Sequence, residues 1–189
     1  MASRKSSSKT YESKIFSLSN IPDSYSEEFI KDYVEGVLDV GVSEVEIWPY
    51  IPGRALIKLD EDLGDFKKAK KALKHEKLES MEVRLLRVSR LPVVLVKELD
   101  VNILSLDFLN MYLELEFANG DEVIQKSSSY PELEIAVVEF CPEHKAVVDK
   151  ILSKRVHVPL PSENYKIKIF PFYENYHDFI DQKYLGKTT

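Results

Sequence analysis

A single cysteine, Cys141, gives the 189 residues no disulfide partner, which fits a reducing intracellular compartment, cytoplasm or nucleus. Only six glycines are present, and neither GxGxxG nor GxxxxGKS/T occurs, so the usual phosphate cradles are missing. The longest apolar runs, such as LPVVLV, stop far short of the roughly 20 residues that cross a bilayer. The opening MASRKSSSKT has no apolar stretch, so neither a secretory leader nor a membrane partner is expected. Cys141 and His144 make half a metal-ligand pair at most, and His75, His157 and His177 lie in separate segments without clustered carboxylates. No catalytic residue, metal or cofactor is expected.

Charge is present but uneven. The formal net charge is −6 with a pI near 5.4, which argues mildly against a generic phosphate binder. Residues 1–14 carry a net +3, whereas residues 91–173 hold eight basic and thirteen acidic side chains. Apolar residues at 44% and charged residues at 31% are enough for a packed core.

The chain reads as one pattern twice. KIFSLSNIP is strand-like. SYSEEFIKDYVEGVL is a helix with Ser26 as N-cap, Glu27 and Glu28 in its first turn, and Phe29, Tyr33 and Leu38 near one face. VSEVEIWPY and RALIKLD alternate as strands around a Pro-Gly turn. DFKKAKKALKHEKL is an amphipathic helix and MEVRLLRV a last strand. Phe29, Tyr33, Glu35 and Ser26 recur 79 positions later as Phe108, Tyr112, Glu114 and Ser105. The second copy runs through VVLVKEL, SLDFLNMYLELE, EVIQKS, LEIAVVEF, PEHKAVVDKILSK and NYKIKIF.

The fold class expected is α+β: two tandem ferredoxin-like β-α-β-β-α-β units, each a four-stranded antiparallel sheet under two helices. The divisions expected are a disordered basic tail at 1–13, unit 1 at 14–90, unit 2 at 91–173 and a C-terminal segment at 174–189. The few residues around Ser89, Arg90, Leu91 and Pro92 are too short a join for freely swinging halves. Topology alone decides little about function, but about 80 residues per unit fits an RNA-recognition motif (RRM), whose open sheet stacks bases on aromatic rings.

Four segments carry a more particular resemblance: SNIP, VEIWPYIPGRALIKL, EIAVVEF and KIKIFPFY. With Trp48-Pro49 and Phe170-Pro171-Phe172-Tyr173 in place, most of residues 14–185 resembles the divergent RRM-like modules near the N-terminus of macrodomain-containing mono-ADP-ribosyltransferases, in the poly(ADP-ribose) polymerase superfamily. The resemblance implies a targeting region that recognises RNA or protein. This chain has no room for the family's macrodomains or transferase domain, so no catalytic residue is carried over.

The usual stacking positions are occupied by Ser17, Arg54 and Leu56 in unit 1 and by Leu95, Ile135 and Val137 in unit 2. Each stacked base is worth about 1–3 kcal/mol, so the standard mode of binding is not expected. Unit 1 offers a substitute: Trp48 and Tyr50 beside Arg54, Lys58 and Arg84 can hold a base and its phosphate. The bland reading has Trp48 and Tyr50 packing on Pro49 and Pro52. In unit 2 the apolar Leu95, Ile135 and Val137 call for a cover or a protein partner. Tyr173, Tyr176, Ile180 and Tyr184 fall at helical spacing, and Tyr176, Phe179 and Ile180 are expected to close over that face as a lid. The lysines from Lys67 to Lys77 are expected to be a solvated helix face. The partner expected is single-stranded RNA, the alternative another protein.

Overall fold

Ser26 and Ser105 start the first helix of each half in the same way. Each side-chain oxygen accepts the backbone N–H three residues on, from Phe29 and Phe108 respectively, as an N-cap must. The computed structural model describes residues 10–160 and 164–177. It divides into two units: unit 1 takes the chain up to Ser89 and again from Tyr173 onward, and unit 2 runs from Arg90 to Phe172.

Unit 1 contains Ile15–Ser19 (β1), Glu27–Leu38 (α1), Val42–Ile47 (β2), Arg54–Leu59 (β3), Phe66–His75 (α2) and Arg84–Arg87 (β4). The strand order is β2-β3-β1-β4, the arrangement of a ferredoxin-like unit. Phe16, Leu18, Ala55, Ile57, Leu59 and Leu85 turn toward the helices, where they pack with Ile30 and Val34 of α1 and Ala69 and Leu73 of α2. The buried stripe of α1 is thus one residue removed from the expected one. Phe29 is exposed and stacks on Tyr25, with ring centroids 4.1 Å apart.

Unit 2 contains Arg90–Lys97 (β5), Leu106–Ala118 (α3), Ile124–Tyr130 (β6), Ile135–Phe140 (β7), Lys145–Leu152 (α4), His157–Pro159 (β8), Asn164–Lys166 (β9) and Lys168–Tyr173 (β10). Its sheet order, β10-β5-β7-β6, reproduces that of unit 1, and β8-β9 is an added hairpin before the last strand. Val94, Val96, Ala136, Val138 and Phe140 face the helices. The last strand expected from Asn164 to Phe170 is therefore split between hairpin and sheet. Pro171 interrupts no central ladder because β10 lies at the sheet's edge.

The repeat extends to hydrogen bonds. Glu35 accepts the Val42 N–H at 2.8 Å, and Glu114 accepts those of Val123 and Ile124 at 3.0 Å. Each carboxylate thus ties the end of its helix to the segment that follows. The Tyr33 hydroxyl donates to the carbonyls of Leu73 and Glu76, and the Tyr112 hydroxyl to that of His157. Both helices end on a left-handed residue, Asp39 and Asn119, an αL cap that Asn and Asp tolerate.

Two expectations about the ends are corrected. Residues 1–9 lie outside the described part, but the chain is placed from Thr10, and the Glu12 N–H donates to the Val88 carbonyl at 2.9 Å. At the other end Glu174–His177 form a turn, with the His177 N–H on the Tyr173 carbonyl at 3.0 Å. This turn belongs to unit 1 and not to a lid on unit 2. Its reason is chemical: it finds donors and acceptors on β2, β3 and β4.

Candidate nucleic-acid interface

Backbone geometry fixes Trp48 before any side chain is considered. Its N–H donates to the Arg54 carbonyl at 3.1 Å, closing the turn between β2 and β3. Gly53 allows that turn: its φ is +74°, and a Cβ there would meet the Ile21 carbonyl oxygen at 3.0 Å. The indole then lies at 1% exposure, among Tyr50, Tyr176 and His177 with centroid distances of 5.1, 5.4 and 4.6 Å. Trp48 is therefore not presented for base stacking. Its ring partners are Tyr50, Tyr176 and His177, where the sequence pointed to the neighbouring prolines.

Polar side chains pin the covering turn. Arg54 Nη1 donates to the Asn175 carbonyl at 3.0 Å and reaches that of Tyr176 at 3.5 Å. Asn175 Nδ2 donates to the Arg87 carbonyl at 2.9 Å, and the Tyr176 hydroxyl to the Glu46 carbonyl at 2.9 Å. Ser89 Oγ donates to Glu174 Oε2 at 2.6 Å. Burial, then the Glu46 and Glu27 carboxylates, push the Tyr176 hydroxyl well above the ordinary tyrosine range. His177 is also buried, and its Nδ1 accepts the Tyr173 N–H at 2.9 Å. Phe179 and Ile180, the other expected lid residues, lie outside the described residues.

The sheet face away from the helices carries the remaining candidates. In register, Ser19 pairs with Arg54 on one side and Arg84 on the other, Ser17 with Leu56 and Leu86, and Ile15 with Lys58. Lys58 and Arg84 are exposed, Arg54 is half-buried, and Ser17 is buried. Three of the five expected residues, Arg54, Lys58 and Arg84, thus share one face. Trp48 and Tyr50 sit at its β2 end beneath the turn.

At the matching positions of unit 2, Leu95, Ile135 and Val137 are at 0%, 1% and 7% exposure. The apolar face expected to need a cover is thus buried. β5–β7 pairing sets Leu95 opposite Val137, and Ile135 beside Lys97, whose ammonium lies 4.3 Å from the Phe170 ring centroid.

Sequence reasoning missed His177, the second ring against Trp48, and the anchoring role of Asn175. The aromatic spacing of the C-terminal segment flagged Tyr176, but nothing local names its target. It also missed a cavity of about 220 Å³ between the β1–α1 and β2–β3 loops, lined chiefly by Ile21, Tyr25, Trp48, Ile51 and Pro52. Cys141 and His144 only frame a turn, with the His144 N–H on the Cys141 carbonyl at 2.9 Å. Among the described residues no group of three His, Cys, Asp or Glu side chains could hold a metal. No described helix is long and apolar enough to cross a membrane.

Residues 92–178 match the family model described as PARP14, third RRM domain. That covers nearly all of unit 2 and the covering turn. No curated protein matches the chain. The chain is similar to the solved N-terminal three RNA binding domains of the yeast splicing factor Prp24, at 17% identity over 85% of this chain and 67% of that one, with a TM-score of 0.36. It is similar to the C. elegans NONO-1 homodimer at 17% identity over 82% and 60%, TM-score 0.35. It is also similar to Sex-lethal RNA recognition domains 1 and 2 from Drosophila melanogaster, at 11% identity over 83% and 98%, TM-score 0.31. At these scores the fold rests on the strand order and connectivity within each unit: both are RRM-like.

Proposed function

We propose that the chain is a non-catalytic recognition module that binds single-stranded RNA without aromatic stacking. The observation that carries the reading is the rung across β3, β1 and β4, where Ser19 sits between Arg54 and Arg84 with Lys58 further along the same face. Cations beside a serine hydroxyl suit phosphate and sugar contacts. Arg54 already donates to two carbonyls, so Lys58 and Arg84, exposed and with no ion pair among the described residues, are the groups free to meet a phosphate. The match of residues 92–178 to an RRM of PARP14 supports a further part of the reading, that such a module serves as the targeting region of an ADP-ribosyltransferase.

Titrating a labelled single-stranded oligonucleotide at several salt concentrations tests this. With log K falling by about 0.7 per phosphate contact for each log unit of salt, Lys58→Gln/Arg84→Gln should flatten the slope by about 1.4. Salt-insensitive or absent binding in the unsubstituted protein would refute the reading.

A second reading, a protein-interaction module, has one observation in its favour. Met111 and Leu115 stand four residues apart on α3 of unit 2 with 54% and 66% of their surface exposed, which makes them neighbours on the helix surface. Loss of a protein partner on Met111→Ala/Leu115→Ala, with no RNA binding at any salt, would favour it.

A further inference from the structure

Unit 1 carries a second concentration of positive charge that the sheet face does not include. Residues 66–77 hold six lysines against one glutamate. On α2 the buried Ala69 and Leu73 leave Lys67, Lys68, Lys70, Lys71 and Lys74 exposed around the outer arc, and Lys77 follows just beyond. Lys74 pairs with Glu82 at 3.4 Å, both side chains well exposed. Lys67, Lys68, Lys70 and Lys71 have no carboxylate partner among the described residues. Asp65, the nearest acid at the helix start, is occupied in capping, since it accepts the N–H groups of Lys67 and Lys68 at 3.0 Å.

Packing joins this arc to the sheet. Phe66, at the start of α2, lies under the Arg87 guanidinium at 4.7 Å, and Lys74, near its end, reaches Glu82 just before β4. The helix therefore runs alongside β4, the edge strand. Alternation along β4 sets Arg84 on the sheet face and Arg87 on the helix side. Lys71, Lys74, His75, Lys77 and Glu82 line an open depression of about 400 Å³ at the far end. Tyr11, whose ring lies 5.8 Å from the Arg87 guanidinium, brings the chain to the same edge.

We infer that the β4 edge and the outer face of α2 form a phosphate track for the RNA of the reading above, on which this inference rests. A strand held at Arg84 continues around Arg87 onto Lys67, Lys71 and Lys74. Charge complementarity selects a polyanion. The outer arc of α2 itself exposes lysines and no large apolar side chain; Tyr11 and Met81, at 41% and 40% exposure, lie off the helix, so the arc has nothing to insert below lipid headgroups or to anchor a protein partner. Single-stranded RNA is the polyanion that the sheet face already favours.

The test uses the full chain, the triple variant Lys67→Gln/Lys71→Gln/Lys74→Gln, and labelled single-stranded oligonucleotides of about 4 and about 16 nucleotides. The longer oligonucleotide should lose about a hundredfold in affinity at about 0.1 M salt relative to 1 M, its salt slope falling by about 2 for three contacts. The short one should bind the variant as it binds the unsubstituted protein. A matching thermal melt shows that the variant is folded. Equal binding of the longer oligonucleotide by both proteins, alongside a loss in Lys58→Gln/Arg84→Gln, overturns the track and leaves RNA binding standing. If neither oligonucleotide binds the unsubstituted protein, the RNA reading itself has failed. Lysine-dependent binding to anionic vesicles with none to RNA would overturn the track in favour of a membrane.

Discussion

The protein has one tryptophan, and the structure surrounds it with residues distant in sequence, so its fluorescence reports directly on the 173–177 turn. Tyr176→Phe keeps the ring against Trp48 and removes only the hydroxyl that donates to the Glu46 carbonyl at 2.9 Å. Losing one hydrogen bond while leaving a buried acceptor costs about 1–2 kcal/mol. For a domain of about 100 residues that is roughly 4–8 °C in melting temperature per kcal/mol. Tyr176→Ala also empties the space of a ring with no exposed surface, and removal of a buried aromatic costs about 3–5 kcal/mol. The alanine variant should therefore shift Trp48 emission to longer wavelength and admit acrylamide, while the phenylalanine variant keeps a buried-type spectrum at lowered stability. Amide exchange should quicken at Trp48 and Arg54, whose backbone groups pair across the turn, and in β2 and β3. Unchanged emission and melting in Tyr176→Ala would refute the packing of Tyr176 on Trp48. Accelerated exchange confined to β5 and β7 would return the segment to unit 2.

The carboxylate ties are separable by the number of amides they hold. Glu114→Ala should cost about 1.5–3 kcal/mol and more than Glu35→Ala, because Glu114 accepts two N–H groups and Glu35 one; urea melts of the two variants check the order. Alkaline pH should weaken unit 1 through Tyr33, whose hydroxyl is pushed up to about 12 by burial and by the Glu76 carboxylate. The folded state holds that proton more tightly than the unfolded chain, which releases it near 10. The stabilisation is thus complete below about pH 10 and lost as pH rises through about 12. Tyr33→Phe should show a shallower fall in melting temperature over that window, and parallel curves would contradict the assignment.

The order of strands and helices was legible because each signal is local. Ser26 and Ser105 cap helices within three residues, and Val42, Ala55, Ile57 and Leu59 alternate within single strands. The 79-residue repeat was readable for the same reason, since Glu35 and Glu114 repeat both their spacing and their contact. The covering turn was not readable. Its aromatic spacing was visible, but Tyr176 is held by a carbonyl 130 positions away, and no local pattern encodes which sheet a distant segment meets. The stripe of α1 went astray for a smaller reason. Phe29, Tyr33 and Leu38 fall near one face by spacing, yet Ile30 and Val34 lie at the angle that faces the sheet, and Phe29 instead finds Tyr25 on the outside.

The two units share backbone roles and differ where a ligand would sit. Ser17, Arg54 and Leu56 in unit 1 stand where Leu95, Ile135 and Val137 stand in unit 2, and neither set offers a ring. Stacking is sequence-tolerant because every base has a π-face, so a sheet without rings must recognise something other than the base plane. On unit 1 the groups left are cations and hydroxyls, which read phosphate and sugar and lose their grip as salt rises. On unit 2 the equivalent side chains are buried, so a partner of that unit must meet another surface, and Met111 and Leu115 on α3 are the large apolar side chains exposed there on one helix face. Salt therefore separates the two readings: binding carried by unit 1 should weaken steeply with ionic strength, whereas binding through α3 should be nearly indifferent to it.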